Sequence, residues 1–419
     1  MKVLQINSVY PTRSTGKITA DIHNRLLRDG HESIVCFGMS DVQVRDSHAY
    51  QVSGWTRANC NRRWSRVTGL LYAGCPIATA RVIRIMEKEK PDLVHVQCIN
   101  SHFVNLYRVI NWLKEHKIKT VVTLHSEFMH TGTCGHAFDC EKWRTGCGSC
   151  PRLAEETGSL FRDATAEAWI RMRDLYAGFE NDCAITSVSP WLMERAKQSP
   201  ILKNFEHSVV LNGINTGVFY PRNTESLRKK LGLGKEKVIF HATASFTDRE
   251  DDLKGGRYVL ALAERLKNDP VKIFVAGRFE DMEHVPENII FLGNLLDQEL
   301  LAHYYSLADI TLITSKKETF SMVTAESLCC GTPVVGFEAG GPESIALPEY
   351  SAFAKQGDLA GLERLVRQAL EERPDSHNIA EAAKLRYSAE TMVEAYLSVY
   401  HHLLGRDTAF SPEVIHNRP

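Results

Sequence analysis

Residues 314–345 read TSKKETFSMVTAESLCCGTPVVGFEAGGPESI, and the order of residue types in this stretch decides the fold. The apolar run ITLIT (310–314) leads into it and PVVGF (333–337) lies inside it, both of strand length. A helix is predicted from about Ser321, and the small-residue turn CCGTP separates it from the second strand. Two continuously apolar strands joined by a helix form the repeating unit of a parallel sheet covered on both faces.

The same alternation runs along the chain in both directions. Strands are predicted at VLQIN (3–7), SIVCFG (33–38), DLVHVQ (92–97), TVVTLH (120–125) and AITSV (184–188), then at VIFHAT (238–243), KIFVAG (272–277) and IIFLG (289–293). Helical stretches lie between them. In ITADIHNRLLRDG, Ile18, Ile22, Leu26 and Leu27 are read as one face, with Gly30 as the stop. Two such sets in series predict an α/β protein of two Rossmann-like, doubly wound domains facing across a cleft, with ligands at the carboxyl ends of the strands.

The chain has 419 residues, too many for one core, so two domains of roughly 200 residues each are expected. The first is placed at 1–190, within a boundary region Ser187–Asn212 that contains the turn at Pro190. The second is placed at 191–385, followed by a helix at 386–405, N-capped by Ser388, that packs back toward the first domain. A tail over 406–419 completes the chain. With 50 basic and 51 acidic residues the net charge is -1, which argues against a nucleic-acid partner held by bulk charge. No run of about 18 apolar residues suggests a transmembrane helix, and MKVLQINSVYPTRSTG reads as a first strand and loop rather than a signal peptide. The expected location is the cytoplasm, where Cys36, Cys98, Cys183, Cys329 and Cys330, all in or beside apolar stretches, act as small buried hydrophobes.

Within the opening window, Glu318 and Glu326 flank seven residues. Glu318 follows a strand and so reaches toward the expected cleft. The first-turn amides of Ser321, Met322 and Val323, together with the helix dipole, favour an anion such as a diphosphate. Glu326, two turns on, could bind vicinal hydroxyls such as those of a ribose. Spacing alone leaves another option open, with Glu318 as a helix cap and Glu326 on a solvated face. No G-x-G-x-x-G follows the first strand, which argues against a nicotinamide dinucleotide enzyme.

E-x7-E followed by CCGTPVVG and GGPESI resembles the signature of family 4 of the retaining glycosyltransferases, which have the two-domain GT-B fold. Further pieces occur in the family's order: SVSPWL at the crossover, VLNGINTGVFYP (210–221) with Asn215 where Asp is usual, LKGGRYVLALAERL (253–266), KIFVAGR, IIFLGNL and YYSLADITLITS. The likeness covers essentially the whole chain. It is nearest to exopolysaccharide transferases of the colanic-acid type, through TLHSEFMHTGTC…C…GCGSCP.

The resemblance implies a role for each matching residue. Glu318 would bind donor-sugar hydroxyls on the face where positive charge develops, Glu326 the nucleotide ribose, and Lys254 the diphosphate leaving group. Arg249 and Arg278 are candidates for a second cation. His125 would lie near the donor sugar, and Gly16, in a first loop that keeps one glycine where the family often has two, would let backbone approach sugar or phosphate. The implied reaction moves a hexose-type sugar with retention from a UDP- or GDP-sugar to a glycan. The glycan is expected to be a lipid-linked oligosaccharide in exopolysaccharide or capsule synthesis, handled at the inner face of the membrane. No catalytic divalent metal is implied. A sugar-nucleotide epimerase of the same fold, or a catalytically silent partner of a polysaccharide assembly complex, are the alternatives. The stretch NRRWSRVTGLLYAG (61–74), with Arg62, Arg63, Trp64 and Arg66, reads either as a helix packed on the first sheet or as a surface resting on anionic lipid.

Between Thr131 and Pro151 the spacing is C-x5-C-x6-C-x2-C. Cys147 and Cys150 resemble one knuckle of a zinc site, and Cys134 and Cys140 are more widely spaced. A structural zinc clasp that staples an insertion over 131–151 is the expectation, ahead of free thiols, disulfides or another metal.

Overall fold

A strand with no polar side must be covered on both faces, and the chain meets this requirement twice. The computed structural model describes residues 1–100, 102–159, 161–280, 282–372 and 374–406. The expected tail thus lies, from residue 407 onward, outside the described residues. The chain divides into two units, Met1–Val210 together with Met392 onward, and Leu211–Thr391. The first unit ends later than the boundary expected at 190, because a further strand after that point pairs with its sheet.

In the first unit the strands are β1 (Lys2–Val9), β2 (Glu32–Met39), β3 (Ala49–Gln51), β4 (Leu93–Val96), β5 (Lys119–Leu124), β6 (Cys183–Ser187) and β7 (Glu206–Val209). Their order is β3-β2-β1-β4-β5-β6-β7 and every pairing is parallel. In the second unit they are β8 (Lys237–Phe246), β9 (Val271–Phe279), β10 (Ile289–Gly293), β11 (Ile310–Ile313), β12 (Val334–Phe337) and β13 (Ser351–Ala354). Here the order is β10-β9-β8-β11-β12-β13, again all parallel. Both sheets reverse direction of growth beside their first strand, the doubly wound arrangement.

The three strands that sequence reading missed, β3, β7 and β13, are all sheet edges of three or four residues. These three are short and lack the continuous apolar run that marks the other strands, the edge strand β10 included.

Helix packing follows the predicted periodicity with two exceptions. In Ser14–Arg28, Ile18, Ile22 and Leu26 are buried, but Leu27, expected on the same face, is exposed. The last helix, Ala389–Leu403, has Ser388 at its start, whose Oγ accepts from the Thr391 amide at 3.1 Å. It buries Met392, Val393, Tyr396, Val399 and Tyr400 against Val3, Leu93, Val121 and Ala184 of the first sheet. The helix Trp55–Thr68 differs. Only Ala58 and Ser65 are buried, while Trp64 and Val67 are 44% and 71% exposed. The helix touches the first sheet through Ala58, which clusters with Val9 and Met39, while Trp64 and Val67 lie together on an exposed face. Among the described residues, no helix is long and apolar enough to cross a membrane.

Candidate active site

The second unit gathers its charged residues where chain leaves β8 and β11. After β8 the loop reaches Lys254-Gly255-Gly256, and the helix Gly256–Arg265 starts at once. The loop lies hard against the end of β11: Thr314 Oγ1 donates to the Lys254 carbonyl at 2.8 Å, and a Cβ at Gly255 would fall 2.2 Å from the Thr314 carbonyl oxygen. Gly255 also has φ 69°, so glycine is required on two counts. This close approach fixes the root of Lys254.

After β11 the chain runs through Ser315 to Glu318. The Glu318 amide donates to the Ala339 carbonyl at 3.0 Å, and the Gly341 amide donates to the Glu318 carbonyl at 2.8 Å. With its backbone clamped, the carboxylate accepts from Ser315 Oγ at 2.6 Å and from Lys254 Nζ at 2.7 Å. Burial would raise the Glu318 pKa, but Lys254, Ser315 and Ser321 overcome it and hold the group below the usual range, so it is ionised near neutrality.

Glu318 is not the helix cap. Ser321 takes that place, at φ 91°, its Oγ accepting from the Thr324 amide at 3.3 Å, and the helix is Met322–Cys329. The amides of Met322 and Val323 thus belong to the first turn, which has no intrahelical acceptor for them. Glu326 is half-buried, and Tyr305 donates its hydroxyl to Glu326 Oε2 at 3.0 Å. Tyr305 is a residue that sequence reading missed. Its only mark was an apolar helix ahead of β11, and its buried ring packs edge-on against Phe240.

The two arginine candidates part company. Arg278, on β9 beside Ser245 of β8, is exposed near the end of its strand. Arg249 is 63% exposed and its Nε pairs with Asp251 at 3.4 Å. The run TDREDD supplies its own counter-charge, which turns the guanidinium back on its loop.

In the first unit, His125 is the first residue after β5. Its Nε2 lies 3.0 Å from Gln97 Oε1, and burial pushes its pKa down to about 4, so the ring is neutral near pH 7. Gly16 was expected just before a helix. It lies instead within the first turn of Ser14–Arg28, where a Cβ would be 3.3 Å from the Val9 carbonyl oxygen.

The cysteine-rich stretch has little regular structure, only Phe128–Thr131, Lys142–Arg144 and Leu153–Thr157. It is anchored by Glu127, which is fully buried and pairs with Arg195 Nε at 2.5 Å. Burial would raise the Glu127 pKa; His130 at 3.4 Å, Arg195 and the Ala137 amide reverse this and hold it at about 2. The guanidinium of Arg195 lies 5.0 Å from the Trp143 ring centre and 5.1 Å from that of Trp191. Cys134, Cys140, Cys147 and Cys150 are unbridged and half-buried. They are near enough that burial first, then Glu156 and the other three thiols, raise the Cys134 pKa. Burial and its thiol neighbours push Cys147 up to about 12, and its Sγ donates to the Thr131 carbonyl at 3.6 Å. Among the described residues, no group of three or more His, Cys, Asp or Glu side chains is arranged to hold a metal ion. The expected zinc ligand set is thus not assembled: the thiols are neighbours, but Cys147 is engaged with backbone.

Comparison with known proteins adds to this geometry. A family model described as Glycosyltransferase Family 4 matches residues 15–217, and one described as Glycosyl transferases group 1 matches 223–386. An N-acetyl-alpha-D-glucosaminyl L-malate synthase of Bacillus anthracis is 23% identical, covering 95% of this chain and 96% of its own. A putative colanic acid biosynthesis glycosyl transferase, WcaC, of Escherichia coli K12 is 21% identical over 96% of this chain and all of its own. Among solved structures, Alr3699/HepE of Anabaena, in complex with UDP, superposes with a TM-score of 0.61 at 15% identity, covering 96% of this chain and 100% of that one.

Proposed function

This chain belongs to family 4 of the GT-B glycosyltransferases, and on that premise we propose that it moves a hexose-type sugar from a nucleoside-diphosphate sugar to a glycan acceptor, with retention at the anomeric carbon. The observation that carries this reading is the Lys254–Glu318 pair, 2.7 Å apart, with Ser321 opening the helix Met322–Cys329 three residues after Glu318. Transfer breaks the bond from anomeric carbon to phosphate oxygen and makes one to an acceptor oxygen, through an oxocarbenium-like state. The departing diphosphate gains negative charge, which Lys254, Arg278 and the first-turn amides of Met322 and Val323 are suited to stabilise. The ionised Glu318 carboxylate suits the positive sugar ring, and Glu326, steadied by Tyr305, suits the ribose. His125 takes part in handling the donor sugar. In front-side attack the leaving phosphate oxygen accepts the acceptor's proton, so no separate base is needed.

UDP in the HepE structure supports a uridine donor as the first to test. The test is nucleotide release from a panel of UDP- and GDP-sugars with a glycan acceptor. Release and acceptor glycosylation are expected with one donor; tight nucleotide binding with no turnover of any donor overturns the reading in favour of a silent binding partner.

A lipid-linked acceptor of the exopolysaccharide type is part of the proposal, with the helix Trp55–Thr68 as the membrane contact. From residue 47 to residue 86 the chain has six arginines and no acidic residue, and Arg57, Arg62, Arg63 and Arg66 on this helix are exposed beside Trp55 and Trp64. Vesicles containing phosphatidylglycerol should bind the protein and phosphatidylcholine vesicles should not; equal binding after Arg62, Arg63 and Arg66 are replaced by Gln sinks the lipid contact. Zinc on the four cysteines is proposed only with the thiols deprotonated and drawn together. Metal analysis of protein prepared without chelator decides it, and a zinc content near zero rules the ion out.

A further inference from the structure

Behind His125 lies a set of buried polar side chains, all in the first unit, whose hydrogen bonds take their direction from one backbone carbonyl. The Thr19 carbonyl can only accept. Gln5, on β1, gives it its amide nitrogen at 3.1 Å, which turns Gln5 Oε1 the other way. Gln97, just past β4, meets that oxygen with its own Nε2 at 3.4 Å and so turns its Oε1 to His125 Nε2 at 3.0 Å. His95 agrees with this order. Its Nδ1 lies 3.2 Å from Gln97 Nε2 and 2.6 Å from the Tyr400 hydroxyl, while its Nε2 faces Thr123 Oγ1 at 2.6 Å. Burial pushes the His95 pKa far down, so the ring is neutral, with Nδ1 accepting and Nε2 donating. Gln5, His95 and Gln97 are all 0% exposed, so no water can take over a lost bond. Reversing the Gln97 amide would set oxygen against oxygen at Gln5.

We propose that Gln97 is a positioning residue that holds the His125 imidazole in the tautomer with hydrogen on Nε2. His125 Nδ1 is then an acceptor, matched to a hydroxyl of the sugar and mismatched to a phosphate oxygen, which also only accepts. The inference rests on His125 being a sugar-handling residue. Its sequence signal was faint, a glutamine closing the strand segment DLVHVQ.

The experiment uses the full chain with nitrogen-15 in its histidines, because ring resonances report the tautomer without substrate. Wild type is expected to show His125 with hydrogen on Nε2 alone. Gln97→Met and Gln5→Met should each give a tautomer mixture, and Gln97→Met should lower kcat by roughly tenfold to a hundredfold, as loss of a partner that orients a functional histidine does elsewhere. Gln97→Glu keeps an oxygen toward His125, so it should keep the tautomer and raise the His125 pKa. Thermal melts show which variants fold, and Gln5→Met with Gln97→Glu carries the test where Gln97→Met does not. Hydrogen on Nδ1 in wild type, or no tautomer change in the folded Gln→Met variants, overturns the proposal while leaving the transferase reading intact. A tautomer change as expected, in a protein that turns over no nucleotide sugar, upholds the positioning and removes the transferase reading instead.

Discussion

Two ion pairs of nearly equal length, Lys254–Glu318 at 2.7 Å and Arg195–Glu127 at 2.5 Å, occupy opposite situations. The Lys254 side chain is 39% exposed and Glu318 15%, and the pair sits at a helix start where chain leaves two central strands. Glu127 is sealed, Arg195 is 14% exposed, and two tryptophan rings flank the guanidinium. The first pair can exchange its partners for a ligand. The second has no route to one, and holds irregular chain in place. Contact distance does not separate a site from a strut; access and the surrounding groups do.

The largest expected effect breaks the strut. Arg195→Met leaves a buried carboxylate without its cation, and denaturant unfolding should report a loss of about 3–5 kcal/mol. A loss below about 1 kcal/mol would show that the pair is as dispensable as a surface one. Next, Glu318→Gln and Lys254→Ala should each lower kcat by about a hundredfold to a thousandfold, the usual scale for one preorganised electrostatic group. Thermal melting should change little, because Lys254 is already partly in water. A folded Lys254→Ala enzyme with near-normal kcat would place it outside the chemistry.

Acid separates the pairs further. The Glu127 pKa is depressed to about 2 in the folded chain, against roughly 4.3 when unfolded. The unfolded state therefore binds more protons between these values, so this group's stabilisation is full above about pH 4.3 and is lost as pH falls toward 2. Urea midpoints across that range should fall in wild type, and fall less in Arg195→Met, whose Glu127 keeps His130 and the Ala137 amide but loses the Arg195 charge. The smallest effect is expected at Tyr305→Phe, which removes one hydrogen bond to Glu326. Donor KM should rise about threefold to tenfold, the scale of a single hydrogen bond to a charged group, with kcat little changed. An equal fall in kcat would assign Tyr305 to the transition state instead.

The same contrast explains what could be read in advance. Glu318, Ser321 and Glu326 lie within nine residues of one another, whereas Lys254 was marked only by the family likeness of LKGGRYVLALAERL. Groups so near in sequence leave marks in local order, and the central strands do so through their apolar runs. Glu127, Arg195, Tyr305 and Gln97 left almost none, because each finds its partner 21 or more residues away. Arg249 finds its partner close by, at Asp251, but that pairing depends on how the loop folds back. The four cysteines are the intermediate case: spacing predicted that they would be neighbours, but not that Cys147 would engage the Thr131 carbonyl.

The sequence by itself determined two parallel α/β sheets and the helix start beside Glu318, since hydrophobic period, glycine placement and capping act over a few residues. Only the tertiary structure decided which carboxylates are sealed or accessible, where the edge strands lie, and which nitrogen of His125 carries hydrogen. Those outcomes depend on burial and on hydrogen-bond partners drawn from distant parts of the chain, and short-range order carries no record of either.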